Sequence, residues 1–154
     1  MTLEDPHRGV VLTLVDRLDG TGVDWALTGS CSFALQGVPL SPNDVDVQTN
    51  RAGAYAIAET FAAAVDDPVT WSEGDRIRSA YGTLVVDGVE VELMGGVQRR
   101  RADGTWSDTV EITDHLTTVD LAGRAVPVID LAYDARAYEE MGRSERAALL
   151  REHL

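Results

Sequence analysis

The segment "GSCSFALQGVPLSPNDVDVQ", Gly29 to Gln48, decides how this sequence is read. It follows a short apolar run of strand length, "VDWALT" (Val23–Thr28), and opens on a Gly-Ser pair. Phe33, Ala34 and Leu35 come next, so Ser30 is expected as a helix N-cap and Gly37 as the C-terminal stop. "VPLSPN" is a loop, because Pro39 and Pro42 flank Ser41. "DVDVQT" (Asp44–Thr49) then alternates polar and apolar, which is the pattern of a strand with Val45 and Val47 turned one way. Residues two apart share a strand face, so Asp44 and Asp46 project together.

Two carboxylates held close repel, and one takes up a proton unless a cation neutralises them. A hard divalent cation such as Mg2+ suits such a pair, since it takes oxygen ligands and keeps room for water and phosphates. Gly29 lets the backbone pass close to another group. Ser30, at a helix start, offers unpaired N–H groups to an anion. One end of the segment is thus equipped for phosphate and the other for metal. The competing interpretation is a solvated strand face beside an ordinary strand-turn-helix. A third acid is available in "GVEVELMGG", where Glu90 and Glu92 share one face of a strand opposite Val89, Val91 and Leu93. Glu90 is two residues past the Asp87-Gly88 turn. Glu92 lies farther along, towards the strand's C-terminal end, where the site is expected, and is the preferred third ligand.

Working outward, Pro6 to Leu18 read as an amphipathic helix, with Val10, Val11, Leu14, Val15 and Leu18 at helical spacing. "AGAYAIAETFAAAV" (Ala52–Val65) is Ala-rich and helical. "YGTLVVDGVEVELM" places two alternating runs around Asp87-Gly88, the preferred pair for a type I′ hairpin. Further hairpins are expected at Asp103-Gly104 and at Ala122-Gly123. From Leu131 the chain is helical, with a break at Gly142 and a second short helix capped by Ser144. An early β-α-β unit, a later antiparallel set of strands and enclosing helices make an α+β fold with a mixed sheet, in a single domain over residues 1–154.

Composition sets the surroundings. Hydrophobic residues make up 44% of the 154, enough for a core. The one cysteine, Cys31, rules out a disulfide within the chain and reads as a small buried thiol. No signal segment and no apolar run of membrane length is present, so a cytoplasmic protein is expected. The 26 acidic residues outnumber 13 basic ones, all arginine, for a net charge of -13. That surface resembles proteins of salt-in halophiles. At molar salt the Debye length falls to roughly 3 Å, which screens the self-repulsion. No basic footprint for duplex DNA exists. Arg99-Arg100-Arg101 reads as a solvated hairpin arm, with binding of an acidic acceptor or nucleic acid as the alternative; Arg76 and Arg78 precede the hairpin strand as candidates for a phosphate contact; and Trp25, Trp71 and Trp106 read as core or rim packing. His7, His115 and His153 show no ligand spacing.

From about Trp25 onward, "ALTGSCSFALQG", "NDVDVQ" and "VEVELMGG" together resemble the nucleotidyltransferase superfamily related to DNA polymerase β. The small stand-alone and the aminoglycoside or lincosamide nucleotidyltransferases share these motifs. Glu stands where that superfamily more often has Asp as the third acid. The resemblance implies transfer of a nucleoside monophosphate from an NTP to an acceptor. Gly29 and Ser30 would hold the triphosphate, and Asp44, Asp46 and Glu92 would ligate Mg2+ (or Mn2+) and carry catalysis. The acceptor stays open among small molecules, RNA and protein. A degenerate nucleotide-binding member, or a toxin–antitoxin or regulatory module of the same fold, is the alternative.

Overall fold

The computed structural model describes residues 3–154. Helix α1 (His7–Leu18) buries Val10, Val11, Leu14 and Leu18. Asp5 Oδ1 accepts the Gly9 N–H at 3.0 Å and satisfies one of its unpaired first-turn donors. Strand β1 (Trp25–Thr28) leads directly into α2 (Gly29–Leu35), and a loop returns the chain into β2 (Val45–Thr49). β1 and β2 pair antiparallel, so the early β-α-β stretch is a tight reversal and not a parallel crossover. Helix α3 (Arg51–Thr60) follows, capped by Asn50, whose side chain accepts from the Gly53 N–H at 2.7 Å.

The remaining strands are β3 (Val65–Glu73), β4 (Ile77–Val86), β5 (Val89–Arg99), β6 (Leu116–Leu121) and β7 (Arg124–Ile129); α4 (Leu131–Glu140) and α5 (Ser144–Arg151) close the chain. The strands form one seven-stranded sheet in the order β3-β4-β5-β2-β1-β7-β6. The β2–β5 and β1–β7 pairs are parallel and the rest antiparallel, which is the expected mixed α+β architecture. The two Gly-containing hairpin turns form as expected. Asp87 and Gly88 have φ of 50° and 78°, and Ala122 and Gly123 have 52° and 78°, the positive values that two-residue turns of this kind demand.

Two expectations are corrected. The helix expected over Ala52–Val65 stops at Thr60; after a 3-10 turn at Ala62–Ala64, Val65 starts a strand. Pro68 and two aspartates disguise β3, but it is an edge strand, where proline is tolerated. Register shifts between Val65 and Thr70 bend it over Gly82, where an added Cβ would lie 2.7 Å from Val69 Cγ2. Around Asp103-Gly104 the chain reverses as expected, on an antiparallel Arg100–Trp106 bridge with the Arg101 N–H donating to the Thr105 carbonyl at 2.7 Å and the Ser107 N–H to the Arg99 carbonyl at 2.8 Å, a shorter hairpin than the other two. Ser144 is the first helical residue of α5, and Arg143 holds the cap position without a side-chain cap bond.

The centre of the sheet separates two environments. Val45, Val47, Val91 and Leu93 face the main core with Leu14, Ile57 and Cys31. Helices α2, α4 and α5 meet through Phe33, Leu131, Ala135 and Leu150. The alternate residues of β2 and β5 face the other way, towards α4. Among the described residues no helix is long and apolar enough to cross a membrane.

Candidate active site

Parallel pairing of β2 with β5 sets Asp46 directly beside Glu92, and antiparallel pairing with β1 sets Thr28 on its other side. Asp46 and Glu92 share a hydrogen bond. Burial first, and then Glu92, push the Asp46 carboxyl up to about 8. The bond from Asp46, opposed by burial and helped by Tyr81, holds Glu92 below the usual carboxylate range. The Tyr81 hydroxyl, on neighbouring β4, donates to Glu92 Oε1. The two carboxyls are thus pushed in opposite directions, Asp46 towards its protonated form and Glu92 towards the anion. Asp46 Oδ1 is enclosed and has no hydrogen-bond partner among the described residues.

Asp44 lies one residue before β2, half-buried. Carboxylate oxygens of Asp44, Glu90 and Glu92 lie within 4.8 Å of one another. Glu90 is exposed; slight desolvation and the Asp44 charge beside it raise its carboxyl. Both glutamates are thus at the acidic cluster. Glu92 is the one joined to Asp46, and Glu90 is the one beside Asp44 nearer the hairpin tip. These three converging carboxylates form a donor set suited to a hard divalent cation, and Asp46, expected as a ligand, lies outside that group.

Gly29 has φ of +70°, and a Cβ there would lie 2.0 Å from Asp46 Oδ2. The close backbone approach expected of this glycine is real, and the group it approaches is the aspartate. Ser30 departs from expectation. Thr28 holds the cap position of α2, and Ser30 Oγ accepts the Asn43 N–H at 3.0 Å. Its hydroxyl thus pins the loop that delivers Asp44. The Cys31 thiol is fully buried, and burial, then Asp46 and Asp44, push it up to about 12, which makes it an inert packing group.

Two clefts open at Asp46. A smaller one of about 180 Å³ is lined by Gly29, Ser30, Asn43, Asp44 and Arg146 as well as Asp46. A second of about 190 Å³ lies under α4 and is lined by Gln48, Glu92, Met94, Arg99 and Asp134 in addition to Asp46. Asp134 is buried and accepts from Thr28 Oγ1 at 2.9 Å; burial pushes its carboxyl up to about 7, against Thr28 and Arg99. Sequence reasoning assigned no role to Tyr81, Gln48, Asp134 or Arg146. Gln48 alone carried a usable signal, because it lies two residues after Asp46 on one strand face.

A family model described as aminoglycoside-2''-adenylyltransferase matches residues 10–153. The chain belongs to that family. Its members transfer nucleotides, and this protein is a nucleotidyltransferase. A solved protein of Thermotoga maritima, provisionally classed as a nucleotidyltransferase, is 40% identical, with a TM-score of 0.87 over 98% of this chain and 94% of that one. The fold also resembles a lincosamide antibiotic adenylyltransferase solved with lincomycin bound (TM-score 0.60, 11% identity, 94% of this chain and 96% of that one). It resembles ANT(2'')-Ia solved with adenylyl-2''-tobramycin as well (TM-score 0.55, 13% identity, 94% and 87%). Among curated proteins no sequence matches the chain significantly. The family membership agrees with the resemblance carried by the Gly-Ser, Asp-x-Asp and Val-Glu-Leu motifs.

Proposed function

We propose that this protein, acting as one domain in the cytoplasm, transfers a nucleoside monophosphate from an NTP, ATP first among them, to a hydroxyl of a small polar acceptor. The observation that carries this reading is the Asp46–Glu92 pair, aligned by strand register, with Asp46 lining both clefts and Glu92 the larger one. In this reading Asp44, Asp46 and Glu92 hold Mg2+ or Mn2+, and Gly29 and Ser30, with Arg146 across the smaller cleft, hold the triphosphate. A divalent ion, when bound there, supplies charge neutralisation on the transferring phosphoryl group. The acceptor enters the larger cleft. Glu92, held as the anion beside that cleft, takes the acceptor's hydroxyl proton. The acceptor oxygen then bonds to the α-phosphorus as pyrophosphate leaves. The antibiotic complexes of lincomycin and adenylyl-tobramycin in the fold's other members make polyhydroxylated small molecules the first acceptors to try.

The test is to incubate each α-labelled NTP with Mg2+ or Mn2+ in high salt and follow label into small molecules, RNA and the protein itself, with pyrophosphate release measured alongside. Metal-dependent nucleotide binding without transfer to any of them would support the degenerate alternative instead. The third acid is tested by comparing two variants. Glu92→Gln should weaken Mn2+ binding and lower turnover at least about tenfold more than Glu90→Gln, because only Glu92 joins Asp46. The reverse order would move the assignment to Glu90.

Adaptation to salt belongs to the same proposal. With a net charge of -13 and no lysine, the melting temperature should climb from low to molar KCl well beyond that of a near-neutral domain. A flat salt response in thermal melts would overturn it.

A further inference from the structure

Of the four acids at the site, Asp44 is the one that the sheet does not hold. Asp46, Glu90 and Glu92 all have partners in neighbouring strands. Pairing of β2 with β5 begins only at Val45, and its pairing with β1 ends at Asp46. Residues 38–43, which lead into Asp44, carry no regular structure. A carboxylate at the end of such a loop keeps one direction only if other groups fix its main chain.

Three side chains do this, one on each of three successive peptide units. Ser30 Oγ accepts the Asn43 N–H at 3.0 Å. His7 Nε2 lies 2.5 Å from the Asn43 carbonyl oxygen. The Cys31 thiol donates to the Asp44 carbonyl at 3.5 Å, the weakest of the three. A carbonyl only accepts, so the His7 nitrogen that meets it carries its proton. Each peptide unit is planar, so turning its carbonyl turns its N–H as well. His7 therefore fixes the unit before the Asp44 Cα, and Cys31 touches the unit after it. The direction of the Asp44 side chain follows from those two planes. Ser30 and Cys31 are neighbours on α2. His7 comes from elsewhere: it opens α1, 36 residues before Asn43.

We propose that His7 is a positioning residue for the metal site, acting through the Asn43 carbonyl to aim the Asp44 carboxylate at the oxygens of Glu90 and Glu92. It ties the first helix of the chain to a loop that would otherwise be anchored from α2 alone. The inference rests on the nucleotidyl-transfer reading, with a divalent ion at the acidic cluster, and adds to it a residue from outside that cluster.

The experiment compares His7→Leu, which removes the donor, with His7→Gln, which returns an amide N–H at about the reach of Nε2. In the metal-free proteins, hydrogen exchange at the Asn43 amide should quicken at least about fivefold in His7→Leu, while amides of the β2–β5 pairing keep their rates. Groups that orient a metal's ligands contribute about 10–100-fold to affinity. Titrations with Mn2+, read by EPR of the free ion, should therefore show binding at least about tenfold weaker in His7→Leu and within about threefold of wild type in His7→Gln. His153→Leu is the control. It removes an imidazole contact with a carbonyl, that of Leu149 at 3.0 Å, and should change Mn2+ affinity less than about twofold. Wild-type Mn2+ affinity in His7→Leu would overturn the proposal. Equal losses in His7→Leu and His7→Gln would do so too, since they would put the imidazole itself on the ion. Faster exchange throughout the β2–β5 pairing in His7→Leu would reduce His7 to a general stabiliser and overturn it as well. Failure of the wild-type protein to bind Mn2+ would be a failure of the transfer reading, and exchange at Asn43 would then decide on its own whether His7 holds the loop.

Discussion

Asp46→Asn is expected to lower nucleotidyl transfer by about a thousandfold or more and, at the same time, to stabilise the metal-free protein at alkaline pH. Both halves come from one arrangement. Asn keeps the shape that fits against Gly29, but it brings no charge to the acidic cluster. In the wild-type protein the Asp46 carboxyl is raised from its ordinary 3.8 to about 8. Between those values the folded protein holds a proton that the unfolded chain has released. Stability from this group therefore falls as pH rises through that window. Glu92, held low, acts with the opposite sign: its contribution is present above the ordinary glutamate range and is lost as pH falls. The larger Asp46 shift dominates towards pH 8. Melts of wild type and Asp46→Asn should nearly coincide at about pH 5 and separate by about pH 8, with the variant higher. Mn2+ should raise the wild-type melting temperature most at the alkaline end and the variant's little. A variant that kept a tenth or more of wild-type turnover, or two melting curves parallel across pH, would contradict this account.

Gly29→Ala is the second large effect, and it separates backbone strain from damage to the site. A non-glycine residue in the left-handed region costs about 1–2 kcal/mol. Gly123→Ala incurs the same kind of strain, since Gly123 has φ of +78° in the β6–β7 turn and open space around its missing Cβ. The two variants therefore share this backbone strain, and Gly29→Ala adds to it the cost of displacing Asp46. They should differ in activity. The new methyl at position 29 would fall 2.0 Å from Asp46 Oδ2 and 3.0 Å from its Cγ, so the carboxylate must move. A displacement of about 1 Å at a reacting group costs on the order of a hundredfold in rate. Gly29→Ala should thus lose about a hundredfold in transfer rate and Gly123→Ala almost none, read from initial rates at matched folded fraction. Equal activity in the two variants would mean that the contact between Gly29 and Asp46 is unimportant for the chemistry.

The parts of this molecule legible in its sequence are those written in local periodicity. The Asp87-Gly88 and Ala122-Gly123 turns, the alternation of β2 and β5, and the spacing of α1 all depend on neighbours within a few residues. The grouping of Asp44 and Asp46 is of that kind too. Strand β3 was hidden because an edge position relaxes the rule against proline, and no local signal says which strand will be an edge. Ser30 had the right composition for a cap, but β1 runs into α2 without a break and leaves that place to Thr28. Asp134 approaches the site only because α4 folds back across the sheet more than eighty residues after β2, a tertiary event without a local trace. The placement of Glu92 beside Asp46 was anticipated only as a choice between two glutamates. Register, which strand alternation does not reveal, joins one of them to Asp46.

That register makes the active site a measure of chain length. Asp46 and Glu92 come from strands that are distant in sequence and meet only because Val45 pairs with Val91 and Val47 with Leu93. A side-chain period of two leaves no intermediate solution: a single-residue slip would set Val91 or Leu93 beside Asp46 and drive a glutamate into the apolar core. Insertions and deletions inside β2 or β5 therefore erase chemistry and core together. Changes of length belong instead in segments that the pairing does not count, such as Gly20–Gly22 or Ala102–Gly104. For a designer moving this site to another scaffold, the unit to transplant is the pair of strands with its alignment intact, not the three acids.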